Sequence, residues 1–295
     1  MYGWVIFNGH MQKEAFLQFP NQLKVTANTL GIEIKLVPNH YITQIVTSSN
    51  TSLKHKDNIA LPSFVIFHDK DITLARQFEQ ISIPVFNSST CIDICDNKVW
   101  MYQVLARHEI NIPKTVFAPK VFHNTPTLDM ESYLNLTKPF SYPFIVKEGY
   151  GSFGEQVYLI KNQKQYLDKV TEIYDKPFLL QQFIDSSYGE DLRLFVVGDH
   201  VVAAIKRQSK EDFRANVYLG STVSAYTPTE KEKQLALQAA KAVGATYCGV
   251  DILLGPDQEP IICEVNTNAH VANILKYTGI DVTHSILNTI MKEIH

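Results

Sequence analysis

The sequence predicts an α/β fold that opens on a parallel sheet layer and continues into a strand-rich α+β region. Two patterns predict this. Before residue 95 short apolar runs alternate with helix-like stretches, the signature of a parallel layer. From residue 144 onward strands dominate, and the chain closes with a hairpin pattern and a last helix. In order, residues 4–7 (WVIF) read as a short apolar strand, 21–30 as a helix and 33–37 as a strand. Polar Ser/Thr/Asn-rich sequence fills 47–58. FVIF at 64–67 is a buried type of strand, 71–80 a helix and 84–87 a further strand.

Asp96 is expected to cap a helix whose apolar stripe is Val99, Tyr102, Leu105 and Ala106, and which stops before Pro113. A loop carrying Pro119, Pro126 and Pro139 leads to the strand-rich region. Another helix is expected from Thr227, with Pro228 in its first turn and Glu230 completing a capping box. Leu235, Ala239 and Ala242 mark its buried face and Gly244 its end. The last helix begins near Asp281. The resulting units are 1–95, 96–180 and 181–295.

Composition narrows the function classes. With 45% hydrophobic and 19% charged residues among 295, the chain is globular. A formal net charge of −3 gives no footprint for nucleic acid or an anionic membrane. Cys91, Cys95, Cys248 and Cys263 form no C-x-x-C pair and read as reduced thiols, Cys91 and Cys95 fitting neighbours on one helix face. The N-terminus reads as a strand and not as a leader, and no run reaches membrane-span length. A cytoplasmic protein is expected.

The most informative segment is GVDILLGPDQEPIICEVN, residues 249–266. Two apolar runs flank a turn-forming GPDQEP. A plain hairpin pairing Leu254 with Ile261 places Asp251 opposite Glu264, with Asn266 on the same face. Ile252, Leu254, Ile261 and Cys263 then point the other way, into a core. Two facing carboxylates whose Cβ atoms lie about 4.5–5.5 Å apart repel and call for a cation. Asp, Glu and Asn offer the oxygen ligands that Mg²⁺ or Mn²⁺ prefers, usually completed by substrate phosphates. A simply polar hairpin face accounts for the pattern equally well.

A second signal is FIVKEGYGSFGEQVYLI, residues 144–160. Gly149, Gly151 and Gly154 spell G-x-G-x-x-G, but a dinucleotide fold needs a helix directly after it, and here a strand follows. A glycine-rich turn between strands, with Ser152 in it, is a flap whose backbone can approach phosphates. Lys147 at the strand end is a point charge suited to a phosphate. A glycine-rich hairpin with a surface lysine is the plainer alternative. LLQQFI (179–184) is an apolar strand whose embedded amides could face adenine, though a core strand explains it too. Between these and the hairpin lie Lys206, Arg207, Lys210 and Arg214, a solvated charge run or an anion site, with Asn216 nearby. Asp191 and Arg193 share a strand face and suggest an ion pair or a contact with ribose and substrate.

Taken together these residues resemble the ATP-grasp superfamily, and within it the RimK-like glutamate ligases. The resemblance runs from Asp96-Asn-Lys98 to the C-terminus. It is carried by Lys147 and its glycine loop, LLQQFI, GEDLRLFVVGDHVVAAIKR, DFRAN, GVDIL and CEVN; FHDKD and VFNSS match more loosely. It implies an ATP-grasp fold behind an N-terminal parallel α/β domain, and an ADP-forming carboxylate–amine ligase. Lys98 and Lys147 would contact phosphates along with the flap residues Gly151, Ser152 and Gly154. Gln181, Gln182, Phe183 and Ile184 would border adenine, and Asp191 and Arg193 would lie near the ribose. Asp251, Glu264 and Asn266 would hold Mg²⁺ or Mn²⁺, as two ions. Arg207 and Arg214, with Asn216, would face the γ-phosphate and acyl group.

Two departures stand out. Gln182 occupies a position that is acidic in many relatives. After CEVN the chain reads TNAHVAN, so Asn268, His270 and Asn273 are candidates for substrate contact. A carboxylate and an amine are the implied partners besides ATP, and a homodimer or tetramer the implied assembly. A dipeptide- or glutathione-type synthetase, or a non-catalytic ATP-binding protein of the same fold, are the rival readings.

Overall fold

A computed structural model describes residues 1–11, 13–217 and 220–294. The chain opens with β1 (Tyr2–Phe7), α1 (Glu14–Thr29), β2 (Glu33–Pro38), a short hairpin of β3 (Ile42–Val46) and β4 (Thr51–His55), β5 (Phe64–His68), α2 (Ile72–Gln80) and β6 (Val85–Phe86). β2, β1, β5 and β6 pair side by side, all in parallel, so the expected parallel layer is present. α1 begins earlier than its apolar pattern suggests and carries Pro20 inside. The stretch expected to be plain polar sequence contains β4, which pairs with β3. Asp71 caps α2 by accepting from Leu74 N at 3.1 Å.

α3 (Ser89–Asp96) and α4 (Lys98–Arg107) follow. The expected cap at Asp96 is corrected here. Asp96 ends α3, and Asn97 caps α4 by accepting from Val99 N and Trp100 N. Two abutting helices leave one residue for the cap, and its amide oxygen takes the orphan amides.

A central antiparallel sheet then forms from β7 (Thr115–Phe117), β8 (Phe144–Glu148), β9 (Val157–Ile160) and β10 (Phe178–Gln182), in the order β7-β10-β8-β9. α5 (Met130–Leu136) and α6 (Gln163–Ile173) pack on it through Tyr133, Tyr166 and Val170.

The last sheet has the order β13-β12-β11-β14-β15, all antiparallel. Its strands are β11 (Glu190–Val197), β12 (His200–Gln208), β13 (Thr222–Ala225), β14 (Tyr247–Leu254) and β15 (Pro260–Asn266). α7 (Glu230–Val243) covers one face together with α3 and α4. Its capping box is Thr229 with Glu232, two residues beyond the expected Thr227 and Glu230, and Gly244 ends it at φ 72°. Thr229 wins because Glu232 reaches back to its amide at 2.7 Å. α8 (Ala272–Thr278) and α9 (Val282–Ile294) pack on the opposite face with α1.

Two polar ties join the first and last layers. Buried Asn87 donates to Tyr247 O at 2.8 Å and accepts from Thr246 N at 2.8 Å. Thr26 and Thr283 share a 2.6 Å hydrogen bond between α1 and α9. Among the described residues no helix is long and apolar enough to cross a membrane.

Candidate active site

The three sheets meet around one cleft of ≈ 650 Å³. The residues given ligand roles from the sequence line it: Lys98, Lys147, the flap residues Gly151, Ser152 and Gly154, the strand-end residues Gln181, Gln182, Phe183 and Ile184, the charged set Asp191, Arg193, Arg207, Arg214 and Asn216, the hairpin residues Asp251, Glu264 and Asn266, and Asn268, His270 and Asn273. Gly149, Lys206 and Lys210 do not line it. Tyr218 and Leu219, inside the basic stretch, lie outside the described residues.

The hairpin of β14 and β15 reaches the expected pairing by a different route. Leu254 pairs with Pro260, and Leu253, not Leu254, pairs with Ile261. A shift between Asp251 and Ile252 then restores Asp251 opposite Glu264 and Gly249 opposite Asn266. The extra residue is Cys263. A bulge puts two residues of one strand against one of its partner and re-aims a side chain. Cys263 therefore turns to the cleft instead of the core, and Ile262 takes the core position beside Ile252 and Leu254.

The charges on this wall are cross-paired. Arg193 grips Asp251 through Nε and Nη2, both at 2.7 Å. Arg207 grips Asp191 at 2.6 and 2.7 Å and places Nη2 at 3.1 Å from Asp251. Asp191 and Arg193 thus take partners on neighbouring strands and not each other. The cause is register: Arg193 lies opposite Asp251, and Asp191 opposite Arg207. Burial alone would push Asp251 up, but Arg193 and then Arg207 hold its carboxyl below the usual range. For Asp191 burial prevails over Arg207, and its pKa is pushed up to about 6. Asn266 Nδ2 sits 3.4 Å from Asp251, and Lys98 Nζ lies 3.2 Å from Glu264.

Lys147 is different. It is 6% exposed, and among the described residues no carboxylate pairs with it. Its ammonium donates to the Tyr102 hydroxyl at 3.0 Å and lies 3.9 Å from Cys263 Sγ. Burial works against its charge, yet Cys263, Tyr102 and Glu264 outweigh that and hold its pKa above the usual lysine range. A buried cation of this kind calls for an anion from outside.

Three contributors escaped the sequence reading. Tyr102 looked like one more apolar position of α4. Fully buried, it bonds the Cys263 carbonyl, accepts from Lys147 and lies 3.2 Å from Gln181 Oε1, joining α4, β8, β10 and β15. Gln181 in turn donates to Thr115 Oγ1 at 2.9 Å, so its side chain is satisfied inside the protein, while Gln182 is exposed. Lys70 reaches the cleft from the loop after β5, paired with Asp96 and 3.3 Å from Ser152 Oγ. The third is Phe153 at the flap tip. The flap itself joins β8 to β9 directly, as the strand–loop–strand reading requires. It rests on cations: Lys98 donates to Gly151 O at 3.1 Å and Arg214 to Gly154 O at 2.6 Å.

This arrangement, a glycine flap from an antiparallel sheet facing an Asp/Glu/Asn hairpin, can be compared with known proteins. The RimK-like ATP-grasp domain matches residues 95–290. The chain belongs to this family. It is an ATP-dependent ligase that forms amide bonds. It is 32% identical over 272 residues to the Uncharacterized protein MG012 homolog of Mycoplasma pneumoniae, covering 91% of each chain. It is 36% identical over 225 residues to a protein of Trichodesmium erythraeum named Probable alpha-L-glutamate ligase, covering 75% of this chain and 72% of that one. The solved structure of VanG D-Ala:D-Ser ligase from Enterococcus faecalis superposes with a TM-score of 0.75 over 98% of both chains at 20% identity, a likeness of fold.

Proposed function

We propose that this ligase adds an amino acid, glutamate in the first instance, to a carboxylate on a peptide, protein or small molecule. One carboxylate oxygen attacks the γ-phosphorus of ATP, giving an acylphosphate and ADP. The amine then attacks the acyl carbon, phosphate leaves with the bonding pair, and the amine loses a proton to form the amide. The observation that carries the reading is Lys147, a buried ammonium in the wall of the cleft that pairs with no carboxylate among the described residues.

Lys147 and Lys98 would hold phosphate oxygens, and Gly151, Ser152 and Gly154 would lie over them. The backbone of residues 181–184 would border adenine, with Asp191 and Arg193 toward the ribose. Arg207, Arg214 and Asn216 would face the transferring group, where fixed cations stabilise developing charge. Asn268, His270 and Asn273 would meet the amino acid or its acceptor.

The donor set also fits a hard divalent cation. Asp251, Glu264 and Asn266 present oxygens on one hairpin face open to the cleft. The charge of Asp251 and Glu264 is neutralised by Arg193, Arg207 and Lys98. A cation therefore fits best when it arrives with a polyphosphate whose negative charge offsets those side chains. Bound there, Mg²⁺ or Mn²⁺, as two ions, would neutralise phosphate charge. The division into 1–95, 96–180 and 181–295, the dimer or tetramer and the cytoplasmic location belong to the same proposal.

The test is ADP release with a panel of amino acids and short peptides, with products weighed by mass spectrometry. One ADP per amide, dependent on both substrates, is expected. No ADP release with any pair contradicts the reading.

A further inference from the structure

The flap tip makes contacts that phosphate binding does not explain. Each of its four residues is held by a different part of the molecule. Lys98 of α4 holds Gly151 O, and Lys70, after β5, reaches Ser152. Arg214, after β12, holds Gly154 O. Between them Phe153 lies 6.4 Å from the Phe16 ring of α1, near-perpendicular at 82°, and 5.8 Å from the His270 ring. Phe16 and His270 are themselves 5.8 Å apart, closing a triangle of rings. The three rings come from the first layer, the central sheet and the segment after β15. Centroid spacings of this size are those of attractive aromatic pairs.

Phe153 also has φ 59°, a left-handed backbone unusual for a bulky residue. Such a conformation persists where the surroundings hold it. The polar and aromatic contacts have different fates. Lys98 and Arg214 face the cleft, so an incoming phosphate competes with the flap carbonyls for them. No anion competes for the ring contacts. Phe16 and Lys70 lie before residue 95, where the family match begins, so the first layer supplies these contacts from outside the matched domain.

We infer that Phe153, Phe16 and His270 form an aromatic clasp by which the N-terminal layer holds the flap shut across the cleft. Resting on the ligase reading, the clasp has a role: it keeps water from the acylphosphate until the amine attacks. Phe153 and Phe16 are positioning residues. Phe16 acts through Phe153 and His270.

Two readouts test this. The first needs no turnover: hydrogen exchange of residues 151–154 in wild type and in Phe16→Ala, a change outside the flap. Faster exchange of the flap amides in the variant is expected, and unchanged exchange overturns the clasp. The second is ADP released per amide formed. Phe153→Ala should raise that ratio about 3- to 10-fold through hydrolysis, the size set by losing aromatic pairs. The double variant should fall short of the sum of the single changes, since both remove the Phe16–Phe153 contact. Phe153→Tyr should restore the wild-type ratio, which separates the ring from general loop damage. A wild-type ratio in Phe153→Ala, with flap exchange altered, overturns the water-excluding role and leaves the ligase reading intact. A wild-type chain that releases no ADP with any substrate pair overturns both.

Discussion

The cleft has two unlike walls. The β11–β12–β14–β15 wall is a lattice of buried charges locked by register, in which Arg193, Arg207, Asp191 and Asp251 satisfy one another across adjacent strands. The flap wall is held by a few contacts from elsewhere, to the carbonyls of Gly151 and Gly154 and to the Phe153 ring. The difference teaches where each kind of work can sit. Groups that must stand in a fixed place are built into a sheet, where losing one partner strands another. Groups that must open and close are held by contacts whose loss strands nothing.

The contrast can be broken at its strongest point first. Arg207→Ala leaves Asp191 and Asp251 without that guanidinium in a buried setting, and stability should fall by about 3–5 kcal/mol, read as a lower denaturant midpoint. Lys147→Met sharpens the contrast because it should act on ligand alone. ADP affinity should drop by about 1.5–3 kcal/mol, from the loss of charged hydrogen bonds. Stability should change little, since the ammonium rests on a hydroxyl and a thiol and, among the described residues, pairs with no carboxylate. A large loss of stability would mean that Lys147 is structural.

His68, at the end of β5, tests the ground behind the flap. Among the described residues its buried Nδ1 has no hydrogen-bond partner, and burial followed by the charge of His270 lowers its pKa to about 4. The unfolded chain takes up its proton as pH falls through 6.5, while the folded chain resists until about 4. Stability from this group is therefore present above about pH 6.5 and lost on acidification toward 4. The residue is half-buried, so the loss should be about 2 kcal/mol, and His68→Leu should flatten that segment of the stability–pH curve. Tyr102→Phe keeps the buried ring and removes the hydroxyl shared by Lys147 and Cys263. Binding of ADP should weaken about tenfold, with little change in secondary structure. Arg214→Ala, on the flap side, should shift stability by less than about 0.5 kcal/mol and leave much of ATP binding while ligation is lost. Equal loss of ATP affinity would move Arg214 from the reacting end to nucleotide binding.

Much of this wall was legible as sequence because strand alternation is a local rule. Asp251, Glu264 and Asn266 follow from counting along two strands, and the flap follows from glycines between two apolar runs. The count was right for a reason it did not contain: the bulge at Cys263 absorbs the one-residue difference made by the actual turn pairing. What could not be read depends on contacts between distant segments. Tyr102 has the pattern of a core residue, and only the approach of β8, β10 and β15 makes its hydroxyl a shared partner. Lys70 and Phe16 sit in the layer that resembled the family least. α3 was hidden because Asp96 looks like a cap, whereas its carboxylate is engaged by Lys70 and the neighbouring Asn97 does the capping.

The central claim is that this hairpin and Lys147 form a metal–nucleotide site. Calorimetric titration of ADP, with and without Mn²⁺, into wild type, Asp251→Asn and Glu264→Gln tests it most directly. The account expects Mn²⁺ to tighten ADP binding in wild type and to have little effect in either variant. Variants that bind the metal–nucleotide as well as wild type would contradict it.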